Sequence, residues 1–391
     1  VLNILELILR SNDISMIESS LPTFDAFCEH HDVSSLFADQ SYLHQYESVV
    51  RSYASLASIS FNPTKQPLSS PVKARWRTAG LKAIRSIAAS DALSTLTGRQ
   101  IDVIVPLILE NLWTTDENML ETFLDRVQAE EKADTEKILR RRTSVATVET
   151  VDTAGEPRPI AFSGTANDAD RLAEEDIGVL AMQCLKSIFV VPNRSQINAA
   201  TSVLLRFILD RSDAGYSVAT LGSKGKNDNG WALTLYNVIA RWAPVQDRYI
   251  ILVVAIDTLI RTPVTDARME QQLVLVSIIG SLLRSDVNLI GLSIMDVLLG
   301  LVKQIRKLFR PSGSVNPTDS AADEKTESDT EPSTPLPRKQ LLERLEGCIG
   351  DLATHVYYAD QITDMIAAII ARLKPSRSSS TGSTPHGEKA D

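Results

Sequence analysis

The sequence predicts an all-α protein built as an α-solenoid, in which pairs of helices stack around one shared core. Three observations lead there. Apolar residues recur at steps of three and four along the hydrophobic stretches, and no convincing strand alternation interrupts them. Leu, Ile, Val and Ala dominate a 43% hydrophobic content in which aromatics reach only 5%, a bias that favours helix-on-helix packing over sheets. A polar turn also recurs between distant helices, as Leu9-Arg10-Ser11-Asn12-Asp13, Ala89-Ser90-Asp91 and Leu283-Arg284-Ser285-Asp286. Ser, Asn and Asp serve such turns by bonding the free backbone donors of the helix that follows. The recurrence is irregular, as expected of diverged repeats.

The elements follow in order. Val1 already lies inside an apolar helical pattern with Leu2, Leu5 and Leu9, without an initiator Met or signal peptide, so an upstream part is expected to be missing. Ile17, Leu21, Phe24, Cys28 and His31 form one helical stripe. Tyr42, Tyr46, Val49, Tyr53 and Leu56 form the next. Pro71 sits near the start of a helix whose buried side carries Leu81, Ile84 and Ile87, a position where its missing donor is harmless. Ile101, Ile104, Val105, Ile108 and Leu112 define another, with a kink expected at Pro106. Further helices are expected over 171–190, 195–210, 230–243, 246–261, 267–284, 287–309, 338–353 and 360–373. The organisation reads as helical repeats over 1–128 and 171–310, then a helical hairpin over 338–374. Residues 129–170, the acidic Ser/Thr/Pro linker 311–337 and the tail 375–391 lack apolar periodicity and are expected to be disordered.

Composition excludes several functions. A net charge of −9 argues against nonspecific nucleic-acid binding. Three scattered cysteines give no disulfide framework and fit a reducing compartment. The apolar runs do not span a bilayer: Asp257 interrupts 249–260, Asp296 interrupts 289–302, and 273–283 is about half the ~20 residues required.

The run Phe27-Cys28-Glu29-His30-His31-Asp32 invites a metal reading, because on a helix Cys28 shares a face with His31 and Asp32. A structural zinc needs four ligands, and the remaining Cys and His residues are solitary. Core packing of Cys28 before a polar helix end is the favoured reading, with no metal expected. The loop Gly222–Gly230 carries Lys224 and Lys226 but lacks the phosphate-loop spacing and a preceding strand. No nucleophile-elbow motif or Ser/His/Asp set stands out, so neither an enzyme nor a cofactor is expected. Lys73, Arg75, Arg77, Lys82 and Arg85 make one helix strongly basic, either a solvated face or an auxiliary contact for anionic lipid. Ser144 follows Arg140-Arg141-Arg142 with one residue between, Ser328 and Thr330 have acidic neighbours, and Thr334 precedes Pro335; these are candidate phosphorylation sites.

Longer strings are more specific. Phe27–Asp32, Trp76–Asp91, Gly98–Trp113, Ala240–Arg248 and Gln271–Leu299 together resemble, in the right order, the fungal Efr ("eighty-five-requiring") family of plasma-membrane scaffolds. The resemblance implies an armadillo/HEAT-like rod without catalytic activity. It also implies a tetratricopeptide-repeat adaptor and a type III alpha phosphatidylinositol 4-kinase as partners, at the cytosolic face of the plasma membrane. Family members meet anionic phospholipids through a basic region that would lie upstream of Val1, so no residue here carries that role. A soluble solenoid adaptor unrelated to membranes is the alternative expectation.

Overall fold

Each helix of this chain has one apolar stripe to bury, and the computed structural model shows where each stripe goes. The structure describes residues 1–144, 166–215, 230–309 and 336–354, apart from 32, 65, 66, 91, 92, 94–96, 115 and 116, together with 363, 366, 367, 370 and 371. Among the described residues there are helices and turns and no strand.

The chain opens with α1 (Leu2–Arg10) and α2 (Ile14–His30), joined by a turn in which Asn12 takes a left-handed φ of 53°. Asp13 then accepts a hydrogen bond from the Ser15 amide at 2.8 Å, capping α2. A short α3 (Val33–Ala38) leads to α4 (Gln40–Ser55), where Asp39 caps the Ser41 amide in the same way. α5 (Ser70–Ala89) carries Pro71 in its first turn, and α6 (Thr97–Leu112) runs through Pro106. α7 (Glu117–Ser144) and α8 (Ala166–Phe189) follow, then α9 (Arg194–Asp213), capped by Asn193, and α10 (Trp231–Trp242). α11 (Arg248–Arg261), a 3₁₀ turn at Asp266–Arg268, α12 (Met269–Arg284), α13 (Ile294–Leu308) and α14 (Leu336–Thr354) complete the order.

Contacts arrange these helices in two rows. In the first, α1, α4, α6, α9, α11 and α13 each pack on the next. The second row runs α2, α5, α8, α10, α12 and α14. The rows meet through α1 with α2, α4 with α5, α6 with α8, α11 with α12 and α13 with α14, while α7 lies against α8 and α10. Two facing rows with neighbour-only contacts make an α-solenoid, and one hydrophobic core runs through it from Leu2 to Leu352. The stripe residues Ile101, Ile104, Val105, Ile108 and Leu112 are all fully buried.

Polar clamps lock the pairs together. The Trp231 indole donates to the Leu112 carbonyl at the end of α6 (2.9 Å), and Asn111 donates to the Ala57 carbonyl just past α4 (2.8 Å). Gln272 donates to the Thr262 carbonyl past α11 and accepts from Gln304 of α13. Each of the carbonyls lies at or just past a helix C-terminus, where intrahelical donors run out. Along one edge, Arg194 reaches Asp247 (2.9 Å) and Arg241 reaches Asp286 (3.1 Å), so ion pairs connect three successive inter-repeat turns.

The structure differs from the sequence expectation in three places. The insertion expected over 129–170 is helical at both ends, because α7 continues to Ser144 and α8 begins at Ala166. Its Ala, Glu, Lys, Leu and Arg residues hold a helix by intrinsic propensity, and Lys186 and Gln183 of α8 tie down Glu131 and Glu130. The helix expected over 287–309 begins only at Ile294. Gly291 takes a φ of +91°, Asn288 accepts from the Ile290 amide, and Ser293 makes the N-cap, while Leu289 and Leu292 bury themselves from the loop. The turn at Ser285-Asp286 therefore does not cap the next helix: Ser285 instead donates to the Leu282 carbonyl of α12. The segment 360–373 lies almost wholly outside the described residues.

One close approach sets the α4–α5 spacing. A Cβ built on Gly80 would stand 2.1 Å from the Ala57 backbone nitrogen and 2.6 Å from the Leu56 carbonyl carbon. Backbone cannot give way as a side-chain tip can, so Gly80→Ala is expected to destabilise the chain by about 3 kcal/mol. Urea unfolding of the two proteins measures it.

Candidate interaction surface

The five cations of α5 do not form one patch. At about 100° per residue, Arg75, Lys82 and Arg85 share an arc away from the core, while Lys73 and Arg77 lie on the other side. Arg75 donates to both carboxylate oxygens of Glu18 in α2, the shorter contact being 2.6 Å. Arg77 is the more enclosed, with its side chain only 12% exposed. It donates to Asn111 of α6 (2.7 Å) and to both oxygens of Glu174 in α8 (2.6 and 2.8 Å). Since Asn111 also holds the Ala57 carbonyl, Arg77 completes a clamp across α4, α5, α6 and α8. Trp76, between the two arginines, is buried against Phe61. Lys73, Lys82 and Arg85 are exposed.

The Phe27–Asp32 run resolves into packing. Cys28 is buried, and its thiol is pushed up to about 12 by burial, with the charge of Asp25 adding to it. α2 ends at His30, and His31 forms the C-cap. The His31 ring lies among Phe27, Tyr42 and Tyr46, with centroids 4.8, 5.6 and 5.3 Å away. Cys184 and Cys348 are buried too, and burial likewise raises both thiols to about 12. Among the described residues no three His, Cys, Asp or Glu side chains converge as metal ligands. Asp32, the loop 222–229 and the sites Ser328, Thr330 and Thr334 lie outside the described residues, whereas Ser144 closes α7.

Two surfaces escape the sequence reading. Val1 ahead of the first helix, Ile4 within it and Met16 of the second are exposed and line a cavity of about 480 Å³, and Leu7 is exposed as well. The signal was available, since α1 is apolar around most of its circumference, a pattern that asks for burial on more than one side. The second is a groove of about 490 Å³ between α11 and α13, lined by Ile260, Asp296, Gly300, Lys303, Arg306 and Lys307. Its floor is closely packed, since Gly300 stands against Ile260, where a Cβ would come within 2.9 Å. Three cations in five positions, Lys303, Arg306 and Lys307, were the signal available in the sequence there. No helix among the described residues is long and apolar enough to cross a membrane.

A family profile described as "EFR3 protein" matches residues 232–312. Protein EFR3 of Gibberella zeae is 60% identical over the whole of this chain, and Protein EFR3 of Pyricularia oryzae is 56% identical. Protein efr-3 of Neurospora crassa is 52% identical, again over the whole chain. The chain spans about a third of the length of these relatives, 34% of the first two. A solved structure described as "Crystal structure of Efr3" aligns at 16% identity with a TM-score of 0.41, covering 97% of this chain and 60% of that one.

The two arginines make a direct comparison. Arg77→Ala strands Asn111 and Glu174 and is expected to cost about 1–3 kcal/mol, whereas Arg75→Ala leaves the urea midpoint nearly unchanged. The thiols give a second expectation. Because the folded state raises them from 9.0 to about 12, their contribution to stability is intact below pH 9 and is lost as pH climbs from there toward 12. A thiol reagent at neutral pH should label none of the three cysteines in the native chain and all of them in urea.

Proposed function

The chain belongs to the fungal EFR3 family, and from that premise we propose that it is the helical platform of a non-enzymatic scaffold at the cytosolic face of the plasma membrane. In this reading the full-length protein binds a tetratricopeptide-repeat adaptor and through it recruits a phosphatidylinositol 4-kinase, supporting phosphatidylinositol 4-phosphate synthesis. The observation that carries the proposal is the match to EFR3 proteins along the entire chain, at up to 60% identity. The physical logic agrees with it. A continuous core makes a stiff support, and holding a kinase on such a support raises its local concentration at the membrane without new catalytic groups.

The lipid role of the basic helix narrows within this proposal. Arg75 and Arg77 are engaged with Glu18 and Glu174, so Lys73, Lys82 and Arg85 are the residues left for an auxiliary contact with anionic headgroups. Deleting the full-length protein from its cell is expected to disperse the kinase from the cortex into the cytosol. Fluorescence imaging of the tagged kinase reads this out, and cortical patches that persist unchanged refute the proposal.

A further inference from the structure

The groove between α11 and α13 gathers three cations, none of them in an ion pair with a described residue. Lys303 and Arg306 are exposed and make no ion pair with a described residue. Lys307 bends back to donate to the Ile260 carbonyl at the end of α11 (2.6 Å) and to Gln304 (3.1 Å). Its ammonium is held below the usual lysine range by burial and by the neighbouring charge of Lys303. The single carboxylate lining the groove, Asp296, is seven residues before Lys303, roughly 10 Å along the helix axis. Complementing the helix dipole explains Arg306 and Lys307 in the last turn but leaves Lys303, a turn earlier, without a role.

The connection between α13 and α14 supplies the missing charge. From Asp319 to Glu331 it carries Asp319, Asp323, Glu324, Glu327, Asp329 and Glu331 against one cation, Lys325. Both of its attachment points lie at the same end of α11. The chain leaves α13 at Phe309, two residues after the lysine that touches the Ile260 carbonyl. It returns at Leu336, where Arg338 is paired with Asp266 at 3.2 Å, just past α11. The ten residues from Phe309 to Asp319 reach up to about 35 Å, ample to turn back to Lys303. A tether fixed at both ends beside a groove of opposite charge holds its ligand at a high effective concentration.

We propose that the acidic stretch Asp319–Glu331 docks, within the same chain, on the cationic groove formed by Lys303, Arg306 and Lys307 between α11 and α13. The contact is electrostatic, so it weakens with ionic strength, and it strengthens if Ser328 or Thr330 is phosphorylated. It does not depend on the membrane role proposed above.

The three native cysteines are buried, so a cysteine introduced by Ser328→Cys can be labelled selectively with a nitroxide on the whole chain. The readout is paramagnetic broadening of the Ile260 methyl resonance, which reports from the groove itself. Strong broadening at low salt is expected, with loss of most of it on Lys303→Glu/Arg306→Glu. Both substitutions sit on exposed positions and leave the Lys307 contact and the tether length intact. Equal broadening in the two proteins, or none in either, overturns the proposal. An Ile260 methyl that ignores the label but shifts on adding inorganic pyrophosphate or phosphatidylserine vesicles overturns it in favour of an external anion.

Discussion

Everything in this molecule depends on the sharing of apolar surface between successive helix pairs. A pair such as α4 and α5 cannot bury its stripe alone, and Ile84, Ile87, Ile104 and Ile108 become fully enclosed only because the next pair covers them. The rows must therefore come close. Gly80 against the Ala57 backbone marks a point between the rows where only hydrogen fits, and within the first row a Cβ on Gly300 would have to push aside the tip of Ile260. Carbonyls left open at the helix ends are then met by side chains from the neighbouring repeat, Trp231 at Leu112 and Gln272 at Thr262. Shared burial fixes the stacking, and the polar clamps select one register within it.

Helix identity was legible in the chain wherever a stripe faces the core. The series Ile101–Leu112 and the series from Ile17 to His31 read correctly because burial on one side imposes a period of three and four. Legibility failed where another force decides. α7 beyond residue 128 has no core to face, so periodicity is silent, and helix propensity with ion pairs to α8 holds it instead. The stretch before Ile294 has apolar residues at helical spacing, yet they are buried from a loop whose course is set by Gly291.

The candidate site was less legible than the fold, for a reason visible in α5. Composition along a sequence counts charges without saying which way they point. Arg77 is two residues from Arg75 and therefore about 200° away around the helix, where it meets Glu174 rather than solvent. The carboxylates that claim both arginines come from α2 and α8, more than fifty residues distant in either direction. The Cys-His run misleads similarly: residues that look like ligands in one dimension are an apolar thiol and a ring stacked among aromatics.

Both edges of the stack are fastened from turn to turn, and that has a mechanical meaning. On one edge the turns after α8, α10 and α12 are short and riveted by Arg194–Asp247 and Arg241–Asp286, and Asp247 is almost completely buried. The opposite edge carries the longer connections 56–69, 214–230 and 309–335, yet there Arg268 reaches Asp213 (3.1 Å) and Arg338 reaches Asp266 (3.2 Å), so it is tied from turn to turn as well. Such a stack resembles a book stitched along both edges, so that neither opens without parting an ion pair. Raising ionic strength then loosens the exposed stitches first, and the pair at the nearly buried Asp247 holds longest.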